Sequence, residues 1–268
     1  MDIWADYDFI KELSEKTRVD IEVLWNTTLR SYSGYLFEKP SINTTSFFID
    51  TLNVRGDKYY GRGFKFCPIC LKEDKIQYLR KHWRVSFYTV CTDHSVILWD
   101  ICPECSTSIN PQFFSSEGEL FACFKCGLKF KDAPPRKVPE NTYGVKAVNF
   151  LFDVMKKGYY SWNNEEYTYS IGFFKVVRHF VKILKYLLKR SLASMYDIFG
   201  HDLLFESSYF NEVKDLLAAP YEIEKVDVLR KYFIFSAVFK ILENYPDSLI
   251  DFIEKYRIRY SLLIRDFS

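Results

Sequence analysis

Hydrophobic positions recur at helical spacing at both ends of the chain and lose that spacing in the middle. In "DYDFIKELSEKT" Phe9, Ile10 and Leu13 share a face, and "RVDIEVLWNTTL" repeats the pattern with Ile21, Val23, Leu24 and Leu29. Joined by "EKTRVD", the two segments predict a helical hairpin, with a DNA-reading helix-turn-helix as the second reading. From Val145 onward helical spacing dominates again. Candidate helices lie in "GVKAVNFLFDVMKKG", "GFFKVVRHFVKILKYLLKR", "SYFNEVKDLLAA", "KVDVLRKYFIFSAVFKILENYP" and "DSLIDFIEKYRIRYSLLI". In the second of these, Phe174, Val177, Val181, Leu184 and Leu188 form a core-facing stripe. Beside it, Lys175, Arg178, Lys182, Lys185 and Lys189 make a basic ridge with no acid on it.

The middle reads differently. "SVILWD" and "ELFACFKCGLKF" are strand-like, and "KDAPPRKVPENTYG", with three prolines, reads as a linker. The expected fold is mainly α with a small-β zinc module. It divides into a helical N-terminal region (1–65), tandem zinc ribbons (66–131), and a linker with a C-terminal helical bundle (132–268).

Composition narrows the class. Of 268 residues 48% are hydrophobic, which excludes a disordered chain, and the net charge of +2 makes nucleic-acid affinity a matter of local clustering. No apolar run is long enough to span a membrane, and "MDIWADYDF" lacks the features of a secretory leader. These features predict a cytoplasmic protein without a membrane partner. There, seven cysteines are metal ligands or free thiols before they are disulfides.

All seven fall into one pattern: Cys67-x2-Cys70, Cys91-x2-His94, Cys102-x2-Cys105 and Cys123-x2-Cys126. Eight thiolate and imidazole donors suffice for two tetrahedral zinc sites. Three pairings of the four turns are open: nested, cross-braced, or consecutive. The consecutive pairing is favoured because the spacing of Cys102, Cys105, Cys123 and Cys126 is that of a zinc ribbon. Four protein ligands leave no open position for water or substrate, so both zincs are expected to be structural.

The segment "KFCPICLKEDKIQYLRKHWRVSFYTVCTDHSVILWDICPEC" resembles the signature of the TniQ/TnsD family of transposon target-selection proteins. The resemblance rests on Cys67-Pro68, Tyr78-Leu79-Arg80, Trp83-Arg84, Val90-Cys91, His94, Leu98 and Cys102-Pro103-Cys105. It implies an adaptor in a bacterial cytoplasm, acting at DNA. Such an adaptor links a DNA target, or a CRISPR RNA-guided effector complex, to the AAA+ ATPase regulator that recruits the transposase. Some family members work as a head-to-tail homodimer. The Glu-Ser…Trp element that opens other members is absent, as is a long C-terminal extension, which favours the short type that rides on a partner.

Residues 54–90 hold nine Lys/Arg against three acids, interleaved with aromatic residues. Arg62, Lys65, Arg80, Lys81 and Arg84 are therefore candidate nucleic-acid or partner contacts, alongside the ridge from Lys175 to Lys189. Asp93 and Asp100 are candidates to support metal ligands. No catalytic constellation or phosphate-binding loop appears, so no enzyme is expected. The alternatives are a zinc-ribbon DNA-binding or transcription factor and a cross-braced RING-like docking protein.

Overall fold

Aspartates placed one residue ahead of apolar runs start the N-terminal helices. Helix α1 (Tyr7–Thr17) begins at Asp6, whose carboxylate accepts from the Asp8 amide, and ends on left-handed Arg18. Helix α2 (Ile21–Thr27) begins at Asp20, whose carboxylate accepts from the Glu22 amide at 2.7 Å. The computed structural model describes residues 6–39, 47–52, 63–114, 120–162, 166–188 and 222–259. The expected helix at "SYFNEVKDLLAA", with Arg62 and Lys189, lies outside them. About half of what is described is helical, with a few small sheets. Seven residues with an acidic first turn make α2 a poor groove reader, which favours the plain hairpin.

Helix α3 (Pro68–Glu73) opens the cysteine-rich part, with Cys67 as its cap and Pro68 in its first turn. Strands β1 (Val90–Cys91), β2 (Val96–Ile97) and β3 (Arg136–Lys137) form one antiparallel sheet, with Cys91 opposite Val96 and Val96 opposite Lys137. Strand β3 lies inside the proline-rich stretch read as a linker, which is instead folded onto the metal-binding part. Trp99 Nε1 donates to the Pro134 carbonyl at 2.9 Å, and the Arg136 guanidinium lies 3.9 Å above the Trp99 ring. These contacts give the stretch partners that its prolines do not advertise.

Helix α4 (Tyr143–Lys157) stops at Gly158, which takes the left-handed conformation that ends helices. A hairpin of β4 (Tyr159–Trp162) and β5 (Glu166–Tyr169) then leads into α5 (Ser170–Leu188). Helix α6 (Val228–Leu242) is buried nearly all round, and α7 (Asp247–Tyr256) packs on it. Gly144 of α4 sits so close to α6 that an added Cβ would fall 2.0 Å from the Tyr232 ring.

One core joins parts that differ in composition. Phe48, Phe87, Phe174 of α5 and Phe235 of α6 meet with ring centroids 5.3 to 6.2 Å apart. A buried charge cluster lies in the same core. Asp50 takes Lys65 at 2.9 Å, Lys231 of α6 at 2.6 Å and the Ser86 hydroxyl at 2.5 Å. Burial alone would raise the Asp50 carboxyl, but the two ammonium groups outweigh it and hold it below the usual carboxylate range.

Candidate metal centres

Each four-residue donor turn is shaped by its backbone. Cys91, Cys102 and Cys123 each accept, through the carbonyl, the amide four residues on (Ser95, Ser106 and Gly127) at 2.8 to 2.9 Å. All three of those residues have positive φ, a conformation that is cheapest for the glycine. The turn closes tightly and puts its first and fourth side chains on the same side. The remaining pair, Cys67 and Cys70, is built by a helix start instead: the Cys67 sulfur accepts from the Cys70 amide in the first turn of α3.

The structure brings these turns together consecutively. Cys67, Cys70, Cys91 and His94 form one cluster, and Cys102, Cys105, Cys123 and Cys126 the other, with the donor atoms of each within 4.8 Å of one another. In the first cluster Cys70 Sγ lies 3.5 Å from Cys91 Sγ. His94 Nδ1 lies 3.3 Å from the sulfurs of Cys70 and Cys91 and 3.6 Å from that of Cys67. In the second, Cys102 and Cys126 are 3.5 Å apart and Cys105 and Cys123 3.6 Å. Thiolates about 2.3 Å from a tetrahedral zinc stand roughly 3.8 Å from each other, so both clusters fit that ion closely. The cross-braced arrangement is not formed, since Cys67 and Cys102 belong to different clusters.

The electrostatics of the first cluster favour a cation. Hydrogen bonds from the Cys67 and Cys70 thiols pull Cys91 down to about 2. Hydrogen bonds with Cys67 first and Cys91 second push the Cys70 thiol well above its ordinary range. Three crowded sulfurs can hold only part of the negative charge that they would carry around a dication.

The carboxylates of Asp93 and Asp100, expected to support metal ligands, lie in different surroundings. Asp93 is exposed, and Asp100 is buried against α6, where its carboxylate accepts from the Val228 amide at 2.9 Å. The group beside His94 is Glu73, whose Oε2 lies 2.9 Å from His94 Nε2. Its signal was in the sequence, because Cys67, Cys70 and Glu73 follow at intervals of three along α3.

The basic candidates around the first cluster are largely spent inside the molecule. Lys65 and Arg84 are corrected from surface contacts to buried groups, at 1% and 7% exposure. Lys65 pairs with Asp50 and donates to the Val85 carbonyl at 2.7 Å, and Arg84 donates to the Asp50 carbonyl at 2.8 Å. Arg80 is held bidentate by Asp74 at 2.8 and 2.9 Å and stacks over Tyr78 and Trp83. Lys81 reaches the Asn26 carbonyl and the Ser31 hydroxyl. On α5, acids from distant segments oppose a ridge expected to have none: Lys175 meets Glu38 and Arg178 meets Glu224, both at 2.8 Å. Lys182 is exposed, and the Lys185 side chain lies outside the description.

Residues 2–98 match the family model of TniQ. The matched span contains the whole first cluster and ends before the second. No curated protein and no solved structure matches the chain. Among the described residues no helix is long and apolar enough to cross a membrane.

Proposed function

We propose that the chain is a non-enzymatic, zinc-binding adaptor in transposon target selection. It joins the target, either DNA or an RNA-guided effector complex, to the AAA+ ATPase that recruits the transposase. The observation that carries this reading is the pair of four-donor clusters, the first of them inside the TniQ match. When bound, zinc supplies structural cross-links between turns distant in sequence. Cys67, Cys70, Cys91 and His94 would hold one ion, and Cys102, Cys105, Cys123 and Cys126 the other. Four protein donors saturate a tetrahedral ion, so the chemistry that remains to such a chain is docking.

The internal use of Lys65, Arg80, Lys81 and Arg84 favours a protein-riding adaptor over a protein that grips DNA by itself. The test is co-purification of the full chain with the transposon's AAA+ ATPase. Retention of the ATPase on the tagged chain is the expected result. Failure to retain it, together with tight binding of free duplex DNA at physiological salt, would favour the zinc-ribbon DNA-binding factor instead.

A further inference from the structure

We propose that Glu73 is a positioning residue for the first metal centre, holding His94 so that Nδ1 faces the three thiols. The inference rests on the reading of that cluster as a zinc site. An imidazole can offer either nitrogen, and the one that ligates is set by what the other nitrogen donates to. Here Nδ1 faces the sulfurs, and Nε2 has the Glu73 carboxylate 2.9 Å away. With Nε2 carrying the proton, Nδ1 keeps its lone pair for the ion.

The helix that supplies two thiols also supplies this carboxylate. Cys67 caps α3, Cys70 lies in its first turn and Glu73 is its last residue, so one short helix carries both ligands and their support. The Glu73 side chain is 64% exposed, and the backbone that carries it is held at the end of α3. The end of α3 is tied three times. The Asp74 amide donates to the Cys70 carbonyl at 2.9 Å, Gln77 Nε2 donates to the Leu71 carbonyl at 2.6 Å, and Arg80 clamps Asp74. Arg80 therefore serves the metal centre indirectly, by fixing the residue next to Glu73.

The experiment compares the zinc-loaded full chain with Glu73→Ala and Glu73→Gln, reading three quantities: zinc affinity by competition with a chromogenic chelator, the nitrogen through which His94 ligates by long-range proton–nitrogen NMR, and exchange of the Nε2 proton. Glu73→Ala should weaken the first site roughly 10- to 100-fold and leave the second unchanged. It should also speed exchange of the Nε2 proton and let part of the His94 population ligate through Nε2. Glu73→Gln keeps an acceptor and should restore most of the affinity and the single ligation mode. Wild-type affinity, exchange and ligation in Glu73→Ala, with two zincs bound, would overturn the role of Glu73 alone. A wild-type chain that takes up no zinc at the first cluster would overturn the metal reading, and this inference with it.

Discussion

Lys65 sits two residues before Cys67 and His82 nine before Cys91, and both are ionisable groups placed where charge is expensive. Burial pushes the Lys65 ammonium down to about 8, against the opposing pull of Asp50. Burial also pushes His82 down to about 4, with Arg80 adding to it, in a ring box whose centroids lie 4.5 Å (Tyr88) and 5.4 Å (Phe152) away. The folded His82 value lies below the ordinary 6.5. On acidification the unfolded chain therefore takes the proton first, and stability is lost as pH falls from about 6.5 to about 4. Between pH 7 and pH 5 this amounts to about 1–2 kcal/mol, discounted because the ring is partly exposed. His82→Phe should flatten that part of the pH dependence, read as the difference in urea midpoint between variant and wild type. An unchanged pH dependence would mean that His82 is solvated in the folded chain. At this scale the sequence was legible for the metal donors, because soft ligands at fixed spacing constrain one another locally. It was not legible for Lys65 or Arg84. Their surroundings come from Asp50 and Lys231, which no local pattern connects to them.

Among elements, α1, α2, α4, α5, α6 and α7 fall where the 3.6-residue pattern puts them. The β4–β5 hairpin was missed: "YYSW" and "EYTY" are too short and too evenly aromatic to stand out between two long helices. Strand β3 was missed for another reason, since a proline-rich stretch looks like a spacer unless its partner strand is known. The tightest helix contact is also invisible to periodicity. Gly144 reads as an ordinary helix-start glycine, yet it lets α4 approach the Tyr232 ring on α6. Gly144→Ala gains helix propensity of about 1 kcal/mol but overpacks this contact, at a cost of about 1–3 kcal/mol. A net loss is expected, seen as a lower melting temperature without loss of bound zinc. A more stable variant would show that Tyr232 can step aside freely.

For the molecule as a whole, what looked like three modules by composition share one core, through the four-phenylalanine cluster and the Asp50 cluster. Cys67, Cys70, Cys91, Cys102 and Cys123 belong to that core, and Phe66, Trp83 and Val90 in the same core are fully buried. Loss of the first ion should therefore loosen contacts beyond its own ligands, whereas the second cluster, with exposed Cys126, should respond more locally. Chelation followed by hydrogen exchange should show this asymmetry as lost protection in α6 only when the first site is emptied. Equal, purely local effects at both sites would mean that the core stands without the first metal. The most direct test of the account is the zinc content of the purified full chain by elemental analysis, beside Cys67→Ser and Cys102→Ser. The account predicts two zincs per chain and one in each variant, lost from the cluster that carries the change. A wild-type chain with fewer than two zincs, or a variant that keeps both, would contradict it.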